Sequence, residues 1–216
     1  MRIEAVPVGP LQTNCYLVAC SKTLAAVIID PGWSGEQLSE LVAENGFDLQ
    51  ALLLTHAHFD HVAGAAALKR LTGVPLLAHA DSRPALLNNH HHASLWGFRV
   101  EPAPQLDGEL VEGQIVQVGD LALEVLYTPG HAPGHVCFHE PTAKVLFDGD
   151  VLFRGGIGRF DLPGGDYNLL MQSIEARLLA LPDDTAVYPG HGPPTTIGEE
   201  RHSNPYLRDL GARHSG

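Results

Sequence analysis

The chain has 216 residues, of which 44% are hydrophobic and 18% are charged, so it can bury a sizeable core and does not have the composition of a disordered polypeptide. Its net charge is −12 and its longest basic run is the pair Lys69-Arg70, which argues against nucleic acid and against an anionic membrane as partners. Three cysteines are too few for a disulfide scaffold, and neither a signal peptide nor an apolar segment of membrane-spanning length is visible. We therefore expect a cytoplasmic protein with a single domain over residues 1–216, whose oligomeric state the sequence does not indicate.

The first half of the chain predicts strands followed by helices. Short apolar runs bounded by turn residues indicate strands, and Leu38, Leu41 and Val42 have the spacing of one helix face. In chain order we expect strands at 2–8, 14–20 and 24–29, a helix at 35–45, a strand at 50–54, a helix at 62–72 and a strand at 74–79.

The second half returns to strands after a segment at 88–113 that has weak periodicity, which we expect to form loops bordering a site. The elements expected after it are strands at 114–118, 121–127, 134–139 and 143–148, a helix at 166–180, a strand at 186–188 and a helix at 198–210. Two blocks of strands, each followed by helices, predict an α+β fold in which two sheets pack face to face with helices on the outer faces.

Residues 55–61 read Thr-His-Ala-His-Phe-Asp-His, directly after the apolar run at 51–54. Three imidazoles and a carboxylate would build a poor core, but borderline divalent metals such as zinc prefer these nitrogen and oxygen ligands. The segment also lies where a buried strand ends and a helix begins. It therefore predicts a metal site at the end of a strand.

Three later segments place His or Asp beside glycine at the end of an apolar strand. They are Thr128-Pro129-Gly130-His131, Asp148-Gly149-Asp150 and Pro189-Gly190-His191-Gly192. Glycine lets the backbone turn sharply and bring the neighbouring side chain inward. Each segment alone is an ordinary turn, but four strand ends with the same chemistry favour one shared site.

These four segments, in this order, resemble the metallo-β-lactamase-fold hydrolases, and among them the short, single-domain glyoxalase II-like (hydroxyacylglutathione hydrolase-like) group. The resemblance covers most of the chain and implies an αβ/βα four-layer sandwich with two mixed sheets. It also implies two divalent metal ions, with zinc as our first choice and iron or manganese as alternatives. By this resemblance His56, His58 and His131 bind one metal, Asp60, His61 and His191 bind the other, and Asp150 bridges the two.

The activity that the resemblance implies is hydrolysis of a small-molecule thioester by a metal-bridging hydroxide, with S-lactoylglutathione as the first candidate substrate. Asp60 is the candidate catalytic residue that orients the nucleophile or takes up its proton. Arg154, Arg159 and Arg201 follow ligand segments and are candidate contacts for an anionic substrate such as a glutathione conjugate. We expect a single domain without the C-terminal helical domain that supplies basic residues for glutathione in two-domain glyoxalase II enzymes, so recognition of glutathione stays open.

Other functions stay open beside this one. A persulfide dioxygenase of the same fold would use one iron bound by two His and one Asp, for which His56, His131 and Asp150 could serve. A lactonase or other ester hydrolase and a metal-binding protein without activity are further alternatives. A β-lactamase is disfavoured, because the best-known zinc β-lactamases carry a Cys at the second-metal position where this chain has Asp150.

Not every histidine is expected to be a ligand. The tract His90-His91-His92 falls in the expected loop segment and is interpreted as solvated, although its role is not settled by the sequence. His135 and His139 fall in a predicted strand and are expected to serve packing or to face solvent.

Overall fold

A computed structural model describes residues 1–207, and the first of its two large sheets is built from the N-terminal half of the chain. Its strands are neighbours in chain order: β1 (Arg2–Val8), β2 (Thr13–Ala19), β3 (Ala25–Ile29), β4 (Asp48–Leu53), β5 (Leu76–His79) and β6 (Gly108–Leu110). The β1–β2 and β2–β3 pairs are antiparallel, whereas the pairs from β3 to β6 are parallel. Parallel pairs need crossover connections, and helices supply them here.

The second sheet is built from the C-terminal half and has the spatial order β14-β13-β10-β9-β8-β7. Its strands are β7 (Ile115–Val118), β8 (Leu121–Tyr127), β9 (Val136–Glu140), β10 (Val145–Gly149), β13 (Ala186–Pro189) and β14 (Thr195–Thr196). Only β10 and β13 pair in parallel among these strands of residues 1–207. A small hairpin of β11 (Leu152–Phe153) and β12 (Gly156–Ile157) lies outside this sheet.

The helices connect the strands. They are α1 (Gly35–Glu44), α2 (Phe59–Val62), α3 (Ala65–Thr72), α4 (Arg83–Leu87), α5 (Asn89–Leu95), α6 (Tyr167–Ser173), which continues as a π-helical turn at Ile174–Leu178, and α7 (Ile197–Ser203). No helix in residues 1–207 is long and apolar enough to cross a membrane.

Three clusters of buried side chains show that the layers are those of an αβ/βα sandwich. Successive residues of a strand point to opposite faces, so Leu17 of β2 packs towards α1 and α3, while Val18 packs towards the second sheet. The middle cluster also contains Phe138 and Phe147, which lie between the sheets. The third cluster joins the outer face of the second sheet to α6 and α7. The predicted α+β architecture is confirmed.

Two expected helices are interrupted. The helix expected at 62–72 is two helices, α2 and α3, separated at Ala63 and Gly64. The amide of Gly64 donates to the carbonyl oxygen of Pro31 at 2.8 Å, which ties the break to the turn after β3. The helix expected at 166–180 changes to π-helical geometry after Ser173.

The loop expected over 88–113 was wrong in part, because α5 and β6 lie within it. His90, His91 and His92 are therefore helical, although His90 and His91 are exposed as expected. Helix α5 is held by tertiary contacts: the Asn89 amide group donates to the Glu101 carbonyl and accepts from the amide of Ala103. The last helix ends at Ser203, and positions 208–210 of the expected helix lie outside the described residues.

Candidate metal centre

The seven predicted ligands meet at one edge of the sandwich, because each follows the C-terminal end of a strand. The turn after β4 and helix α2 carry His56, His58, Asp60 and His61, and the turns after β8, β10 and β13 carry His131, Asp150 and His191. The first sheet thus supplies four of these residues and the second sheet supplies three.

Backbone hydrogen bonds join the two sheets at this edge. The amide of Val136 donates to the Thr55 carbonyl at 2.8 Å, and the amide of Asn14 donates to the Gly190 carbonyl at 2.7 Å. Side chains of β2 reinforce the second contact: Asn14 donates to the carbonyls of Pro189 and Gly192, and the Tyr16 hydroxyl donates to that of Pro189 at 2.6 Å. The turn that carries His191 is therefore fixed by the opposite sheet.

The first ligand group consists of His56, His58 and His131. Nδ1 of His58 lies 3.0 Å from Nε2 of His56 and 2.9 Å from Nε2 of His131. The other ring nitrogen of His131 faces the Arg159 carbonyl at 2.8 Å, and a carbonyl only accepts, so His131 carries its hydrogen on Nδ1. Its Nε2 therefore presents a lone pair to the group.

The tautomer of His56 follows from Thr55 and Asp30. The Thr55 hydroxyl donates to Oδ2 of Asp30 at 2.7 Å, so its oxygen accepts from Nδ1 of His56, which lies 3.0 Å away. Nε2 of His56 is then a second lone pair aimed at the group. A hydrogen on Nδ1 of His58 could be donated to only one of these two lone pairs. A cation between the three nitrogens would be bound by all of them.

The second group consists of Asp60, His61 and His191. Nδ1 of His61 lies 3.0 Å from Oδ2 of Asp30, which places the ring hydrogen there and leaves a lone pair on Nε2. That Nε2 atom is buried and has no hydrogen-bond partner in residues 1–207. Oδ2 of Asp60 lies 3.5 Å from Nε2 of His61 and 3.2 Å from Nε2 of His191.

Asp150 lies between the groups. Its Oδ1 is 3.5 Å from Nε2 of His61, and its Oδ2 is 3.6 Å from Nε2 of His131 and 3.7 Å from Nε2 of His191. Oδ1 is buried without a hydrogen-bond partner among the described residues. Because a buried carboxylate oxygen and a buried imidazole lone pair are costly to leave unpaired, these atoms fit bound cations. The donor set therefore fits two metal ions with Asp150 facing both.

The pKa shifts of the ligand side chains also favour bound cations. Burial, with a further contribution from His131, lowers the pKa of His58 to about 3. At neutral pH this imidazole is therefore uncharged and can donate an electron pair to a metal ion. Burial raises the pKa of Asp60, but His61 and the hydrogen bond with His191 outweigh it and lower that pKa to about 2. Burial lowers the pKa of His61, but Asp150 and Asp60 outweigh it and raise that pKa. The two carboxylates thus stabilise positive charge on or beside this ring.

Comparison with known proteins identifies the family. Residues 8–191 match the family model described as the metallo-beta-lactamase superfamily. The chain belongs to this superfamily. Hydroxyacylglutathione hydrolase GloC of Haemophilus influenzae is 42% identical to it over 214 residues, which are 96% of this chain and 98% of that protein.

Two solved structures of superfamily members are close in fold. BLEG-1, described as a B3 metallo-beta-lactamase, has a TM-score of 0.89 at 39% identity and covers 96% of this chain and 100% of its own. TTHA1623, solved in a di-iron-bound form, has a TM-score of 0.88 at 43% identity and covers 94% of this chain and 100% of its own. The predicted superfamily is confirmed, and the chain is a metal-binding hydrolase of this superfamily.

Asp30 is not among the residues predicted from the sequence, yet it contacts residues of both ligand groups' surroundings through Thr55 and His61. Its Oδ1 accepts from the Thr55 amide at 2.7 Å, and its Oδ2 accepts from the Thr55 hydroxyl and from His61. With both oxygens occupied by protein donors, Asp30 orients one histidine of each group instead of binding metal. Its position at the end of β3, before Pro31-Gly32, is the same strand-end signal that identified the ligands.

His135 lies beside the first ligand group, in the packing role that was one of the two expected for it. Its ring is buried and stacks on the ring of His56, with centroids 5.0 Å apart. His139 lies within β9 and makes an ion-pair contact with Glu124 at 3.9 Å. The two histidines differ in their position along the chain, because His135 precedes β9 at the ligand edge and His139 lies four residues further on, away from that edge.

The three candidate arginines differ in their relation to the ligands. The carbonyl of Arg159 accepts from His131, while its guanidinium pairs with Asp161 at 2.9 Å. Arg154 lies 3.8 Å from Glu199, and Arg201 donates to Asp183 at 2.9 Å. Within residues 1–207 no hydrogen bond or ion pair joins either Arg154 or Arg201 to a ligand. Arg159 is thus the arginine that the structure links directly to the ligand set.

Aromatic side chains stand beside the metal-ligand helix. Phe59 lies between His58 and Asp60 in sequence, and its ring is 5.8 Å from that of Phe98 and 6.5 Å from that of Trp96. Trp96 is 51% exposed, and the guanidinium of Arg159 lies 5.8 Å from its ring centroid. These residues form a wall with an apolar face and one cation next to the metal centre.

Proposed function

We propose that this protein hydrolyses a small-molecule thioester, with S-lactoylglutathione as the first candidate substrate. The observation that carries the proposal is the position of Asp150. Its Oδ1, which has no hydrogen-bond partner among residues 1–207, faces His61 of the second ligand group, and its Oδ2 lies between His131 of the first group and His191 of the second. The identity of 42% to a hydroxyacylglutathione hydrolase over nearly the whole chain supports the thioester over other acyl substrates.

The chemistry follows from how the residues hold the centre. Divalent ions bound here would supply a water deprotonated near neutral pH and would polarise the carbonyl of the substrate. Asp60 is ionised at neutral pH, and its Oδ2 accepts a hydrogen bond from the Thr13 hydroxyl at 2.9 Å. This contact fixes the carboxylate beside His191, where it orients the nucleophile and takes up its proton. We place zinc first among the metals, while the di-iron form of TTHA1623 makes iron the leading alternative.

Substrate recognition is assigned to the wall beside the centre. The apolar face of Trp96 and the guanidinium of Arg159 suit a substrate that carries an anionic group on a flexible chain, as a glutathione conjugate does. Arg154 and Arg201 remain candidates for a second anionic group. We further infer a cytoplasmic location and no nucleic-acid or membrane partner, which cell fractionation and binding assays would test.

The test is one preparation with its metals quantified, assayed on S-lactoylglutathione and on simpler thioesters. We expect hydrolysis of S-lactoylglutathione to fall roughly 10²–10⁴-fold in Asp60→Asn, the range for loss of a positioned proton acceptor. Asp120→Asn is the matched control, because Asp120 pairs with Lys22 at an exposed site. Equal activity of the two variants would exclude the role of Asp60.

β-Lactam hydrolysis is a second candidate, favoured by the likeness to BLEG-1. The same preparation is therefore assayed on a β-lactam, and oxygen uptake is measured with glutathione persulfide. Turnover of the β-lactam without turnover of any thioester would replace the proposal with a lactamase. Rapid oxygen uptake with a single iron per chain would replace it with a dioxygenase.

A further inference from the structure

The turn Asp148-Gly149-Asp150 presents the carboxylate that faces both ligand groups, and buried side chains hold it from both ends. At one end, the amide of Asp150 donates to Nε2 of His135 at 3.2 Å. At the other, the Sγ atom of Cys137 donates to the carbonyl of Asp148 at 3.6 Å. The residues that make these contacts come from β9 and the turn before it.

The hydrogen bonds between these ends run in one direction. Because an amide only donates, Nε2 of His135 is an acceptor and its hydrogen is on Nδ1, which lies 3.0 Å from the Thr128 hydroxyl. The Thr128 oxygen accepts from Nδ1 and its hydrogen is directed to Sγ of Cys137, 3.2 Å away. The thiol then donates to Asp148, so the chain begins and ends on the same turn.

Packing makes this arrangement rigid. His135, Thr128 and Cys137 are all completely buried. Gly149 has a positive φ of 52°, and a Cβ atom there would lie 2.7 Å from Nε2 of His135 and 2.5 Å from Oγ1 of Thr55. The turn is thus pressed between the imidazole of His135 and the residue that orients His56.

We propose that His135 is a positioning residue that fixes Asp150 between the two ligand groups. It does so through the Asp150 amide, while its ring backs the ring of His56 at an interplanar angle of 22°. A neutral imidazole suits this place because it accepts at one nitrogen and donates at the other. The inference rests on the metal centre and not on the identity of the substrate.

Three variants separate the features of His135. His135→Phe keeps a ring for stacking and removes both hydrogen bonds. His135→Gln restores an acceptor near the position of Nε2. Thr128→Val leaves the imidazole in place and removes the hydroxyl that accepts from it. His139→Phe is the matched control, since His139 is also largely buried but lies four residues further along, within β9, where it pairs with Glu124.

The measurements are zinc affinity by chelator competition, zinc retained per chain after dialysis, and the absorption spectrum of the cobalt(II)-substituted protein. We expect His135→Phe to weaken binding of at least one of two zinc ions roughly 10–100-fold and to change the cobalt spectrum. His135→Gln should recover part of the affinity, Thr128→Val should weaken it less, and His139→Phe should match the wild type.

A folded His135→Phe protein that binds two zinc ions with wild-type affinity and gives the wild-type cobalt spectrum would overturn the proposal. So would a Gln variant that binds zinc no better than the Phe variant. If the Phe variant does not fold, unchanged zinc affinity in Thr128→Val decides against the hydrogen-bond chain. Because none of these readouts uses a thioester, an inactive wild type would contradict the proposed function without touching this inference.

Discussion

At the scale of single residues, the centre depends on side chains that fix which nitrogen of each histidine carries the hydrogen. Asp30 does this for one histidine in each ligand group, directly for His61 and through the Thr55 hydroxyl for His56. A carboxylate can accept from all three donors because it has no hydrogen of its own. The affinity for metal is thus set in part by a residue that does not bind it.

Substituting Asp30 by Asn tests this role with little change in shape. Asp30 has a positive φ of 53°, which Asn also adopts readily, so the backbone is not strained. The amide NH₂ must face at least one of the donors on Thr55 and His61, which leaves that donor unsatisfied. We expect metal affinity to fall roughly 10–100-fold and the free energy of unfolding to fall by about 1–3 kcal/mol.

Chelator competition and thermal unfolding of Asp30→Asn check this expectation. Asp120→Asn serves again as the control for loss of an acidic side chain at an exposed site. If both variants bind metal as the wild type does, the carboxylate of Asp30 has no part in orienting the ligands.

At the scale of secondary-structure elements, the ligands are brought together by turns that follow strands from both sheets. The turn after β13 is the tightest example. A Cβ atom on Gly190 would lie 2.3 Å from Oδ1 of Asp150 and 2.6 Å from Cε1 of His61. Only a glycine allows this backbone to lie against both Asp150 and His61.

Gly190→Ala should therefore disrupt the centre. The added methyl group would enter the space beside Asp150 and His61, so we expect loss of at least one metal ion per chain. Gly156→Ala is the control, because a Cβ atom there would meet only the Phe153 side chain, at 3.9 Å. The measurement is metal content by elemental analysis of both purified variants. Wild-type metal content in Gly190→Ala would show that the turn can move away from the ligands.

The sequence predicts those elements whose own residues carry a strong pattern. The buried run before His56 predicts β4 to within two residues at its ends, and the alternation in β8 predicts that strand at its observed bounds. Helix α5 escapes prediction because its Asn and His residues are poor helix formers, and it forms through contacts made by Asn89. The strands β11, β12 and β14 have two residues each, which is too short for any periodicity.

The residues of the site are likewise predictable only where the local sequence carries a signal. The ligands are predictable because each stands beside a glycine or in the dense cluster at 55–61. His135 is not, since its contact with the Asp150 amide forms only when the turn after β10 lies against the turn before β9. The tautomers of His56 and His131 depend on Thr55, Asp30 and the Arg159 carbonyl, which meet only in the folded protein.

At the scale of the whole molecule, the centre joins the two sheets. The first sheet supplies His56, His58, Asp60 and His61, and the second supplies His131, Asp150 and His191. Ions bound to both sets would cross-link the sheets at the edge where the Val136–Thr55 and Asn14–Gly190 hydrogen bonds already join them. Unfolding would then require release of the ions, so metal binding would contribute directly to the stability of the native state.

Metal removal should accordingly lower the melting temperature. An ion present at 100 times its dissociation constant stabilises the native state by about 2.7 kcal/mol, and in a domain of this size each kcal/mol corresponds to roughly 2–4 °C. We therefore expect a chelator to lower Tm by about 5–11 °C for each such ion lost, and added zinc to restore it. Scanning calorimetry with metal analysis of each sample measures both. His58→Ala, which removes a ligand that faces two other histidines, should show a smaller shift because it has less metal to lose. An unchanged Tm in wild-type protein that has lost its metal would mean that the sheets are held together without the ions, and that the ligand edge is already stable through its backbone hydrogen bonds.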